Sequence, residues 1–116
     1  MIVAGTIQNL MARLPGTVGG KAILLVCHYD SVATASGASD DGSGVATLLE
    51  TARALRAGPP IKNDVIFLFT NGEEVGLLGT QAFVKQHPWA KEIGMALNFD
   101  TGGRLGDCVY FRDEPW

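Results

Sequence analysis

The sequence predicts an α/β fold: a mixed, mostly parallel sheet with helices on both faces, in three layers. Two observations lead there. The apolar runs 22–27 (AILLVC), 65–69 (VIFLF) and 95–99 (MALNF) carry almost no polar alternation, as expected of strands covered on both faces. The segments between them show helical spacing, and the order strand, helix, strand, helix, strand implies crossover connections. The chain has 116 residues, which suits a single domain over 1–116.

The elements follow in order. In segment 6–14, Leu10, Ala12 and Leu14 alternate with Asn9, Met11 and Arg13, which favours a strand, although a short helix fits the same residues. Residues 15–20 (PGTVGG) read as a reverse connection, so the first two strands are expected to pair antiparallel. Ala22–His28 is a core strand. A helix starts near Ser43, with Val45, Leu48, Leu49, Ala52 and Leu55 on one apolar face, and Gly58-Pro59-Pro60 ends it. Val65–Thr70 is the next strand. A second helix spans 77–86 and is broken by His87-Pro88. A third core strand covers 94–100. Gly102-Gly103 makes a turn, and 108–112 a last short strand.

Several function classes fall away on composition. The net charge is −3 and the few Lys and Arg are scattered, so no basic surface for nucleic acid is expected. No apolar stretch reaches the ~20 residues of a membrane span. The N-terminus lacks a basic segment ahead of a long apolar core, so no signal peptide is expected, and the compartment stays open. Cys27 and Cys108 lie in apolar surroundings and outside any CxxC pair. They read as buried free thiols rather than zinc ligands, a disulfide across the sheet being the alternative.

Chemistry gathers where the strands end. The first run leads into His28-Tyr29-Asp30, the second into Glu73-Glu74 and the third into Asp100, while a Gly-rich loop, 37–44 (GASDDGSG), carries Asp40-Asp41. Ligands of such sheets bind beyond the carboxyl ends of the strands. Each group has an ordinary explanation: a satisfied core histidine, an aspartate helix cap, glutamates opposing a helix dipole, a turn aspartate. Asp30 changes the balance for His28, because a carboxylate can accept the imidazole's second N–H and strengthen it as a ligand. The 37–44 loop lacks a GK[ST] ending, and its two negative charges would repel phosphate; it suits the forward presentation of a carboxylate that bridges two cations. Of the adjacent glutamates, one can bind metal while the other takes a proton from the metal-activated water. His87 beside its proline reads as a surface or structural residue, and Trp89 as packing.

In this order the motifs are specific. The stretches LLVCHYDSV, GASDDGSGVATLLETARAL, NDVIFLFTNGEEVGLLGTQAFV and LNFD resemble the co-catalytic zinc exopeptidases of metallopeptidase family 28, which include bacterial leucyl aminopeptidases and related glutaminyl cyclases. The resemblance implies a zinc-exopeptidase fold binding one or two zinc ions. It implies that His28 and Asp100 ligate the first zinc, with Asp30 orienting His28. Asp40 would bridge both ions, Glu74 would ligate the second, and Glu73 would be the general base. Asp41 matches a supporting position. The implied substrate is a peptide, or a small amide or ester, with water attacking the carbonyl next to a free α-amino group.

Family catalytic domains are longer than this chain and draw a histidine for the second zinc from a later loop. The expectation is therefore a truncated domain with one tight and one weak metal position. Its uncovered sheet edge should favour homo-oligomers. The competing expectation is a non-catalytic, self-associating domain.

Overall fold

The computed structural model describes residues 4–101 and 107–112, with Thr101 and 107–112 described by their backbone alone. The elements in chain order are β1 (Leu10–Leu14), β2 (Ala22–His28), α1 (Gly42–Ala57), β3 (Val65–Thr70), α2 (Leu78–Gln86), a 3-10 turn (Pro88–Glu92), β4 (Ile93–Thr101) and β5 (Asp107–Arg112). The Gly102-Gly103 turn lies outside the described residues, as does the side chain of Cys108.

The strands form one sheet in the order β1-β3-β2-β4-β5. β2 runs parallel to β3 and β4, while β1 and β5 close the sheet antiparallel to β3 and β4. The expected pairing of β1 with β2 is wrong: β1 lies on the far side of β3. The connection after β1 is no hairpin but is stitched to the segment ahead of β3, with Thr17 N–H donating to Ile61 O (2.9 Å) and Val18 N–H to Lys62 O (3.0 Å). Gly16 permits that close approach, since a Cβ there would sit 2.3 Å from the Lys62 carbonyl oxygen. Burial explains the choice. β2 is apolar on both faces and takes the sheet's interior, whereas β1, with Leu10 and Met11 exposed, tolerates an edge.

Both faces are covered, as expected. Leu25 and Cys27 of β2 and Val65 and Phe67 of β3 pack against Leu48 of α1, flanked by Val45, Ala52 and Leu55. On the other face Leu24, Ile66, Leu68 and Ala96 pack with Phe83 of α2, and Val84 and Trp89 border them. Leu49 does not join the α1 stripe and is 58% exposed. One position past Leu48 turns a side chain about 100° around the helix, off the sheet. Arg13 at the end of β1 bonds Asp64 (2.8 Å) and Glu92 (2.8 Å) and lies 5.2 Å from the centroid of the Trp89 ring, pinning the edge strand to the 3-10 turn.

The start of α1 is pressed against the end of β4. A Cβ on Gly44 would lie 2.4 Å from Asp41 Oδ1 and 2.5 Å from the Phe99 carbonyl oxygen. Gly44→Ala is therefore expected to destabilise the chain by about 1–3 kcal/mol, the usual range for overpacking. Urea denaturation would check this, and an unchanged midpoint would refute the close approach.

Candidate metal centre

The parallel register brings the strand ends level. His28 pairs with Thr70 and Val26 with Asn98, so Asp100 falls beside His28. Asp41 then fixes the start of α1 to the end of β2. It is the helix N-cap, and its carboxylate accepts the Gly44 N–H (3.0 Å) and the His28 N–H (3.1 Å). With Asp41 buried in that role, Asp40 is left half exposed, its Oδ1 3.0 Å from His28 Nε2.

Glu73 and Glu74 ride on a loop folded by left-handed residues: Gly72 (φ 74°), Gly76 (φ 116°) and Leu77 (φ 59°). Glycine adopts this region freely, whereas a leucine there is strained. Leu77 is the N-cap of α2, so the helix begins at Leu78. The loop's base is closed by Leu78 N–H to Gly72 O (3.0 Å) and Gly79 N–H to Asn71 O (2.9 Å). Asn9 locks it further, donating to Gly79 O (2.8 Å) and accepting the Asn71 N–H (3.2 Å). Sequence reasoning missed this role of Asn9, and a lone asparagine in a short strand-like segment carries no signal that could have found it.

Asp30 meets His28 differently from the expected carboxylate contact. His28 Nδ1 lies 2.9 Å from the Asp30 backbone carbonyl, while the nearest Asp30 carboxylate oxygen is 3.6 Å away. The carboxylate instead accepts the backbone N–H groups of Glu73 and Glu74, at 3.1 Å each.

The tautomer of His28 follows. A carbonyl oxygen can only accept, so Nδ1 carries the hydrogen and Nε2 of the neutral ring presents a lone pair. Nε2 is buried without a hydrogen-bond partner among the described residues, yet it faces Asp40 Oδ1 at 3.0 Å, Asp100 Oδ1 at 3.5 Å and Glu73 Oε2 at 3.8 Å. A lone pair among carboxylate oxygens is repulsive unless a proton or a cation lies between them. Donor atoms of His28, Asp40 and Asp100 come within 4.8 Å of one another, as do those of His28, Glu73 and Glu74. Zinc bonds of ~2.0–2.2 Å in a tetrahedron set neighbouring donors about 3.3–3.6 Å apart, near the 3.0 and 3.5 Å that separate His28 Nε2 from Asp40 and Asp100.

The cluster's proton affinities reflect burial first and neighbouring charges second. Burial alone would lower the His28 pKa, but the bond to Asp30 and the charges of Glu73, Asp100 and Asp41 outweigh it and leave the ring more basic than usual. Burial raises Asp41 despite its two N–H partners. Burial raises Glu73 too, helped by Asp100, Glu74 and Asp30 and opposed by His28. Burial also pushes the Cys27 thiol up to about 12, so this free cysteine is inert.

A cavity of about 420 Å³ adjoins the cluster, lined by His28, Glu73 and Asp100 together with Leu24, Leu68 and Phe83. Its apolar wall lowers the local dielectric and strengthens the electrostatics next to it. His87 takes a packing position: it caps the 3-10 turn by accepting the Trp89 N–H (3.2 Å) and stacks on Phe83 at 5.4 Å.

Fold and site together define a metallopeptidase-type α/β domain. The chain belongs to peptidase family M28, whose family model matches residues 9–115. It is 47% identical over 110 residues to the vacuolar membrane protease of Candida albicans, a match covering 94% of this chain and 13% of that protein. It is 39% identical over 115 residues to the endoplasmic reticulum metallopeptidase 1 of Rattus norvegicus, covering 95% of this chain and 13% of that one. Among solved structures it resembles an aminopeptidase from Aneurinibacillus sp. strain AM-1, with TM-score 0.70 and 30% identity over 79% of this chain and 24% of that one. A zinc aminopeptidase from Bacillus subtilis is similar at TM-score 0.64 and 31% identity, over 79% of this chain and 23% of that one. The chain thus spans roughly an eighth of the curated relatives and under a quarter of the solved ones. No helix among the described residues is long and apolar enough to cross a membrane.

The raised groups give a pH prediction. His28, Asp41 and Glu73 bind protons more tightly in the metal-free folded chain than when unfolded. Each contributes stability below its unfolded pKa, about 4 for the carboxyls and about 6.5 for the imidazole, and loses it as pH rises through the raised folded value. The lowered Asp64 and Glu50 act below about pH 4 and do not enter this window. Metal-free protein should melt higher near pH ~5 than near pH ~8, and zinc, which needs deprotonated ligands, should stabilise most at the higher pH. Calorimetry with and without zinc tests this; a metal-free Tm that climbs steadily over that range would contradict it.

Proposed function

We propose that this chain acts as a zinc-dependent hydrolase of the exopeptidase type, cutting the amide bond that follows a free α-amino group and accepting small esters as a side reaction. One observation carries the reading: the buried, partnerless Nε2 of His28 aimed at the carboxylates of Asp40, Asp100 and Glu73. The aminopeptidase relatives support it. His28, Asp40 and Asp100 would hold one zinc, and Glu74 would serve a second ion shared through Asp40. Bound there, zinc supplies a Lewis acid that polarises the scissile carbonyl and acidifies the attacking water.

The chain's own residues do the rest. Glu73 is the general base; its burial raises its proton affinity and makes it a better acceptor near neutral pH. The same carboxyl can pass that proton to the departing amine. Asp41 keeps His28 and Asp40 in register, and the surrounding negative charge favours a substrate ammonium.

Glu73→Gln is expected to leave zinc binding intact while turnover of aminoacyl arylamides falls about 10²–10⁴-fold; an unchanged rate would remove Glu73 from the mechanism. A zinc-loaded wild-type chain inert towards a panel of arylamides and short esters would favour a non-catalytic, metal-binding domain. Zinc titration of chelator-stripped protein should give one tight site and one weaker one, because the first group joins an imidazole to two carboxylates, whereas the second has only Glu74 and the shared Asp40. Two equally tight ions would refute that ranking.

A further inference from the structure

The carboxylate of Asp30 does a job that its place beside His28 conceals. Its Oδ1 accepts the Glu73 N–H and its Oδ2 the Glu74 N–H, both at 3.1 Å. Two successive backbone N–H groups in a turn form a concave anion site. Here the anion is a side chain from the end of β2. The imidazole draws its own hydrogen bond from the Asp30 main chain, at 2.9 Å, so the carboxylate is free to hold the loop.

Holding is needed, because the other ties on this loop lie at its base, within it, or between Gly76 O and Gln81 of α2 (3.0 Å). Leu78 to Gly72, Gly79 to Asn71 and the two bonds of Asn9 close the stem, and Glu73 O accepts from Gly76 and Leu77 within the loop itself. None of these sets the distance from the glutamates to His28. Asp30 does, since it is anchored two residues from His28 on the same strand end. Its side chain is 18% exposed, so water competes weakly for the two bonds.

We propose that Asp30 is a positioning residue for the glutamate pair: its carboxylate clamps the Glu73 and Glu74 amides, while its carbonyl orients His28. The two functions are separable, because a substitution removes the carboxylate and leaves the carbonyl. The clamp stands on geometry alone; its consequence for turnover rests on the hydrolase reading above.

The test is Asp30→Asn, with Asp30→Ala as a second variant should the carboxamide find a new arrangement. In metal-free protein, amide hydrogen exchange at Glu73 and Glu74 is expected to quicken at least tenfold in the alanine variant and at one of the two amides in the asparagine variant. Nitrogen NMR of the His28 ring should still report a protonated Nδ1. Affinity for the first zinc should change less than about threefold. In active protein, kcat should fall at least tenfold with KM little changed. Unaltered exchange at both amides would overturn the clamp. So would a 10–100-fold loss of affinity for the first zinc, the signature of a carboxylate acting through the imidazole. A wild-type chain without turnover but with protected Glu73 and Glu74 amides would sink the hydrolase reading and leave the clamp standing.

Discussion

Asp41 joins the central strand to the first helix. Its carboxylate, 1% exposed, accepts one N–H from His28 at the end of β2 and another from Gly44 in the first turn of α1. A buried carboxylate survives only when such donors replace its water. The pair of bonds sets the angle at which the loop leaves the sheet, and with it where Asp40 points. The absence of a side chain on Gly44 lets the helix close onto Phe99, which brings Asp100 into the same small volume. Remove either feature and the ligands no longer converge.

What converges is electrostatically unfavourable without a cation. Asp40, Asp100 and Glu73 surround a single imidazole whose Nδ1 is already committed to a carbonyl. Folding has gathered like charges against a lone pair; burial chiefly raises the proton affinities of Asp41 and Glu73, and His28 is raised against its burial by the bond to Asp30 and the charges of Glu73, Asp100 and Asp41. A conflict of this kind, in a chain whose strands, caps and core otherwise agree with one another, marks a functional site. The same crowding that destabilises the metal-free chain would favour a cation bound there.

Much of the fold was legible because its signals are local. The uninterrupted apolar runs marked β2, β3 and β4, and proline and glycine marked the helix ends. Leu49 misled because an apolar residue at the margin of a helical stripe reads as part of it. β1 misled more seriously. A Pro-Gly-rich connection looks like a hairpin in sequence, but the backbone bonds that direct it, to Ile61 and Lys62, come from more than forty residues away. Asn9 shows the same limit: its partners are Asn71 and Gly79, and no spacing rule links them.

The sequence by itself determined which residues meet. Apolar strands that must be covered on both faces have to run side by side, and their polar ends then share an edge, so His28, Asp40, Glu73, Glu74 and Asp100 were identifiable from pattern and resemblance. Tertiary structure decided how they meet. It set which strand takes the edge, which nitrogen of His28 is left without a partner, and which atom of Asp30 faces the ring and which the loop. These depend on hydrogen bonds and packing between groups distant in the chain, and hydrogen-bond direction, unlike hydrophobic pattern, is not written in the order of residues.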